Sequence, residues 1–140
     1  MCANRILQVV VHDLQQARAA LAEAAGCGRE IQLRSAPDAA AYAGVGYLQA
    51  LGAAAGHELL IDCGDDPGLV MAALRTGCRK LAFSGSAELA EKLADMAAQR
   101  GATLRHETAP PDALLLPPGV DPVPALQARL ARSAAPHSRC

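Results

Sequence analysis

Short runs of apolar, often β-branched residues alternate along the chain with stretches in which apolar residues return every three or four positions. Arg5 to Asp13 contains Val9-Val10-Val11 and reads as a buried strand. Leu14, Ala17, Leu21 and Ala24 then recur at helical spacing, leaving Gln15, Arg18 and Glu23 for solvent. Ile31 to Arg34 alternates apolar and polar as a second strand, and Glu58 to Asp62 forms a third without alternation. Between them, Ala39 to Gly56 suits a helix interrupted around Gly44-Val45-Gly46. Asp66-Pro67 opens a further helix, closed by Gly77. Leu81-Ala82-Phe83 is a fourth strand, Ser86 caps a helix with Leu89, Leu93 and Met96 on one face, and Thr103 to His106 is a fifth, alternating strand. Seven of the nine prolines follow residue 109, so 110–124 cannot be regular helix; Leu114-Leu115-Leu116 within it should pack on the sheet, and Ala125 to Ala131 can form a last helix.

Five strand and helix units in regular order predict an α/β fold: a three-layer sandwich with a five-stranded parallel sheet covered on both faces. Continuously apolar strands belong in the centre of such a sheet and alternating ones at its edges. The flavodoxin-like order 2-1-3-4-5 places strands two and five at the edges and is preferred over the Rossmann order 3-2-1-4-5, which would put the apolar third strand there. The domain is expected to span 1–135, with 136–140 a flexible tail.

Composition narrows the partners. Tyr42, Tyr47 and Phe83 are the only aromatics among 140 residues, too few for the stacking platforms that bind single-stranded nucleic acid. Thirteen basic against fourteen acidic residues offer no electrostatic footprint for a phosphate backbone, so no nucleic acid is expected. The apolar run near the start is too short for a signal-peptide core, and none of Cys2, Cys27, Cys63, Cys78 and Cys140 forms a closely spaced metal or redox pair. Both point to a cytoplasmic protein. Cys27 and Cys78, each after a glycine, fit a slot for a small side chain beside a glycine helix cap. Ala39 to Gly56 carries no charge over eighteen residues, but its Ala and Gly content is too weakly apolar for a membrane span. Residues 39–56 are instead expected to bury against a second copy in a homo-oligomer.

Ligands of open parallel sheets bind outside the carboxyl ends of the strands, where the strand order reverses. His12-Asp13, Ser35 to Asp38, Asp62 to Asp66, Ser84-Gly85-Ser86 and His106-Glu107-Thr108 stand there. Helix caps account for some: Asp13 with Gln16 as a capping box, and Asp38, Asp66 and Ser86 as simple caps. His12, Asp62, Cys63, Asp65, Ser84 and His106 are left over, and the reversal point would bring His12 and Asp13 beside the Asp62 to Asp66 loop. Asp13, Asp62 and Asp65 could hold a hard cation such as Mg²⁺, and Asp62 with His12 or His106 could serve as an acid and base pair. Cys63 beside three carboxylates is a poor nucleophile, since its thiolate is disfavoured there. Ser84-Gly85-Ser86 at a helix start could cradle a phosphate. His57 falls at the opposite strand ends and His137 in the tail, away from this site.

Asp13 after strand one, Asp62 ending strand three and Ser84 ending strand four resemble, by position and up to residue 107, the response-regulator receiver domain. In that family an acid pair, a phosphoaccepting Asp and a Thr or Ser occupy these places. His12 stands where the second acid is expected and no Lys follows strand five, so the likeness is one of fold.

The reading that follows is a small cytosolic binding or regulatory domain that holds a polar or phosphorylated small molecule at the carboxyl edge of the sheet, with Asp13, Asp65, Ser84, Gly85 and Ser86 as its contacts. A divalent cation could accompany it. The alternatives are a small lyase or hydrolase using Asp62 with His12 or His106, and a purely structural oligomer assembled through 39–56.

Overall fold

The computed structural model describes residues 6–133; the expected tail at 136–140 lies outside them, as do Cys2, Cys140 and His137. Over these residues the protein is α/β, with six strands that all run parallel. β1 (Leu7–Val11), β2 (Ile31–Ser35) and β6 (Leu114–Leu115) form one ladder in the order β2-β1-β6, while β3 (Ile61–Asp62), β4 (Lys80–Phe83) and β5 (Thr103–His106) form another in the order β3-β4-β5. A bridge between Arg34 and Leu60 sets β3 beside β2: the Leu60 N–H donates to Leu33 O at 2.9 Å and the Ser35 N–H to Leu60 O at 3.0 Å. The spatial order is therefore β6-β1-β2-β3-β4-β5.

This corrects the flavodoxin-like expectation. β2 is no edge, because it separates β1 from β3, and the strand order never reverses. The helices are α1 (Leu14–Gly26), α2 (Ala39–Ala43), α3 (Val45–Ala55), α4 (Pro67–Thr76), α5 (Ala87–Gln99) and α6 (Val123–Ser133). Their neighbours run α6-α1-α3-α4-α5 in step with the strands. They share one core with Leu7, Val9 and Val11 of β1, Ile31 and Leu33 of β2, Ile61 of β3, and Leu81 and Phe83 of β4. Those are alternate strand positions, hence one face of the sheet. The helices cover that face alone, so the three-layer sandwich is not observed, and the receiver-like arrangement, which needs helices on both sides, goes with it.

The opposite face carries Gln8, Val10, Gln32, Arg34, Leu60, Asp62 and Ala82, every one of them buried although no helix lies over it. The sheet hides this face by curling. The Gln8 Nε2 and Arg34 Nη1 groups both donate to Oε2 of Glu107, just past β5, at 3.5 and 3.1 Å. In a flat sheet β2 and β5 would stand three strand spacings apart, about 14 Å, and side chains perpendicular to it could not meet. The strands thus form an open barrel whose seam lies between β5 and β6, with no ladder joining those two among the described residues.

Local sequence explains the elements. Asp13 accepts from the Gln16 N–H at 2.8 Å and Ser86 from the Leu89 N–H at 3.2 Å, as N-caps should. Asp66 accepts from the Gly68 N–H ahead of Pro67, and Gly77 ends α4 with φ at 95°. The uncharged stretch does break at Gly44, whose φ of 90° separates α2 from α3. Two expected caps differ. Asp38 makes no side-chain cap bond. Gln16 does not return to the N-cap residue's own N–H as a capping box would: its Oε1 accepts from the His12 N–H at 2.7 Å and its Nε2 donates to Pro117 O at 2.9 Å, which straps α1 to the segment after β6. Gly26 stays helical and the left-handed glycine there is Gly28, so the slot proposed for Cys27 is absent, while Cys78 does follow the left-handed Gly77. The Pro-rich segment adds the sixth strand rather than only packing on the sheet, with Val9 and Val10 in register with Leu114 and Leu115. No helix is long and apolar enough to cross a membrane among the described residues.

Candidate functional site at the C-terminal mouth of the curled sheet

Because all strands are parallel, their C-terminal ends share one rim, and the buried face opens there. Arg34 lies just beneath, with a side chain wholly shielded from solvent. Its Nε and Nη2 groups donate to Asp62 Oδ2 at 3.3 and 2.9 Å, and Nη1 donates to Gln8 Oε1 at 3.0 Å and to Glu107 Oε2 at 3.1 Å. Burying a guanidinium is tolerable only with such partners, and two carboxylates and an amide supply them. Asp62 is equally engaged. Its Oδ1 accepts from the Gly64 N–H at 2.9 Å, and its own N–H donates to Ser35 Oγ at 2.9 Å.

Glu107 differs from Asp62. About a third of its side chain is exposed, Arg105 reaches the same oxygen at 3.6 Å, and Oε1 has no protein partner among the described residues. It connects the buried cluster to the outside. On the β6-β1-β2 side the mouth holds a cavity of about 390 Å³ lined by Val10, His12, Ala36, Pro37, Leu115, Leu116, Pro117 and Pro118. Val10 is in register with Arg34, so this apolar wall adjoins the charged cluster. The mouth is amphipathic, with hydrocarbon at one side and a carboxylate at the other.

The residues expected at this rim are there but do not converge as anticipated. His12 is exposed, its Nδ1 3.2 Å from Gln16 Oε1, and β2 intervenes between it and Asp62. His106 belongs to the helix-facing side of β5: it stacks on Phe83 with ring centroids 6.4 Å apart, and its Nε2–H donates to Gly85 O at 2.7 Å. Neither histidine hydrogen-bonds Asp62 among the described residues. Asp13 caps α1, and Asp65 is an exposed loop residue. No group of three or more His, Cys, Asp or Glu side chains among the described residues is placed to hold a metal ion. Ser84 donates its N–H to Gly64 O at 2.8 Å, and Ser86 is occupied as a cap. Cys63 is buried, and burial, followed by the charge of Asp62, pushes its thiol up to about 12, which leaves no thiolate for nucleophilic attack near neutral pH.

The sequence reading missed Gln8 and Arg34 and passed over Glu107. A signal was available. Gln8, Gln32, Arg34, Asp62 and Lys80 are the charged and amide residues of β1 to β4, and all share one strand parity.

At the other end of the β2–β3 contact the ladder is replaced by side chains. The Leu33 N–H donates to His57 Nε2 at 3.2 Å, and Gln32 Nε2 donates to Glu58 O at 2.8 Å while Lys80 Nζ donates to Gln32 Oε1 at 3.0 Å. His57 must be neutral to accept from a backbone N–H. Desolvation by burial, then the charge of Lys80, lower its pKa from 6.5, with Glu58 and Glu30 opposing. A base with a lowered folded-state pKa contributes fully above its unfolded value. The unfolded chain binds the extra proton first as pH falls below about 6.5, so stability is lost between that value and the lower folded one. Urea midpoints at pH 7.5 and 5.5 should therefore fall more for the parent chain than for His57→Gln; equal losses would remove His57 as the cause.

No protein-family model and no curated protein matches the chain.

Proposed function

We propose that the protein is a small binding or regulatory domain that holds a polar small molecule at the C-terminal mouth of its curled sheet. The observation that carries this reading is Glu107, half tied into the buried Arg34 cluster and half presented to the mouth beside an apolar cavity. A hydrogen-bond donor on the ligand would meet Oε1 of Glu107, and the ligand's body would lie against Val10 and Leu115. A phosphorylated ligand would instead lean on Arg105 and the start of α5, and a divalent cation would draw on Asp65, since both oxygens of Asp62 are taken. A cytosolic setting belongs to the same reading and is supported by the buried thiols of Cys63 and Cys78. So does self-association through 39–56, where Tyr42 is 92% and Tyr47 50% exposed.

Thermal melts against a panel of small polyols and amines, phosphorylated metabolites and Mg²⁺ test it. A ligand at a hundred times its Kd adds about 2.7 kcal/mol, which for a chain of this size raises Tm by roughly 5–10 °C. The shift should vanish in Glu107→Ala. If no compound moves Tm, or if the shift is unchanged in that variant, the proposal fails.

A further inference from the structure

A second cavity, of about 370 Å³, lies at the opposite end of the molecule, where α3 and α4 end above the entry to β3. Its existence follows from small side chains. Gly52 lets α3 approach so closely that a Cβ there would stand 2.7 Å from His57 O, while Gly77 ends α4 with a left-handed turn. Gln49 Nε2 spans the two helices to Thr76 O at 3.0 Å. Beneath that span the small residues Gly52, Ala53, Gly56 and Cys78 line the gap beside Leu59 and Ile61, and none is large enough to fill it. The space equals roughly twelve water volumes at about 30 Å³ each, which apolar walls hold poorly.

The rim defines the chemistry. Glu58 and Arg79 face each other, Oε2 to Nε, at 3.8 Å, so they present no net charge. His57, also in the lining, accepts the Leu33 N–H on Nε2, which fixes its ring proton on Nδ1. That Nδ1–H has no protein partner among the described residues. A donor without an acceptor, set in an apolar and charge-balanced recess, is a specific invitation. We infer that this cavity is a binding site for an uncharged small molecule with a compact apolar body and a single hydrogen-bond acceptor, such as a ketone or ester oxygen, directed at the Nδ1–H of His57. It is independent of the C-terminal mouth, which lies at the other ends of the strands.

Amide ¹H–¹⁵N spectra of the full chain, titrated with acetophenone and with ethylbenzene, provide the test. The two probes share a carbon skeleton and differ in the carbonyl oxygen. Acetophenone should produce saturable shifts at Gly52, Gly56, Gly77 and Cys78 and bind about fivefold more tightly than ethylbenzene, the worth of one net hydrogen bond. Ala53→Phe, which fills the cavity, should abolish the shifts, while Met71→Phe, on the exposed side of α4 and outside the cavity lining, should leave them. Absence of saturable shifts at these amides, equal affinity for both probes, or undiminished binding in Ala53→Phe would each overturn the site. The comparison of probes needs no variant, so a misfolded Ala53→Phe would not shelter the proposal.

Discussion

Replacing Arg34 by Met is expected to cost about 3–5 kcal/mol of folding stability, because it leaves Asp62 buried, charged and without its ion-pair partner. The loss should be read from urea unfolding at pH 7. Replacing both residues together, Arg34→Met with Asp62→Leu, should restore much of it, since an apolar pair of similar volume carries no desolvation cost. Glu107, already partly in water, can turn outward in the double variant. A single-variant loss below about 1 kcal/mol would mean that solvent reaches Asp62 and that the concave face is less closed than its burial indicates.

The second large effect is expected at Phe83. It is the chain's one phenylalanine, fully buried, and its ring supports two other groups. His106 stacks against it, and Gly85 lies so close that a Cβ there would be 2.4 Å from Cζ of the ring. Phe83→Ala should cost about 3–5 kcal/mol by opening a cavity at the top of β4. Phe83→Leu should cost less, about 1–1.5 kcal/mol, because most of the volume is kept. Equal costs for the two would place the ring's contribution in its stacking on His106 rather than in the space it fills.

Much of the element sequence was legible because periodicity and punctuation agree along the chain. Asp13, Asp66 and Ser86 begin helices, and Gly44 breaks the uncharged stretch, as their residue types require. Topology was not legible, and Gln32 and Arg34 show why. Alternating polar residues in a strand signal that one face escapes the main apolar core, and water is the usual occupant of that face. Here the occupant is the inside of the sheet's own curl, where Arg34 meets Asp62, Gln8 and Glu107. An exposed edge and a polar interior produce the same pattern in a single strand; only the common parity across β1, β2, β3 and β4 separates them. The site suffered from the same error. Asp62 and Ser84 do reach the C-terminal rim, but the strand order that was to gather His12 and Asp13 beside Asp62 does not exist. Glu107, which links the rim to the buried charges, stands at the end of the least apolar strand, where a solvated role was the natural assumption.

The pairing of β6 with β1 also bears on how the chain reaches its native state. β1 leaves the ribosome ahead of the other described strands, yet one of its two neighbours is encoded more than a hundred residues later, and α6 packs on α1 from further still. Until that last segment arrives, Val9 and Val10 offer an unoccupied edge and α1 an uncovered flank. A nascent chain truncated near residue 107 would hold every βα unit before the Pro-rich segment and still lack both. The segment that shields β1 and α1 is thus made after the elements it shields, and the interval before it emerges leaves that edge and flank open to association with other copies.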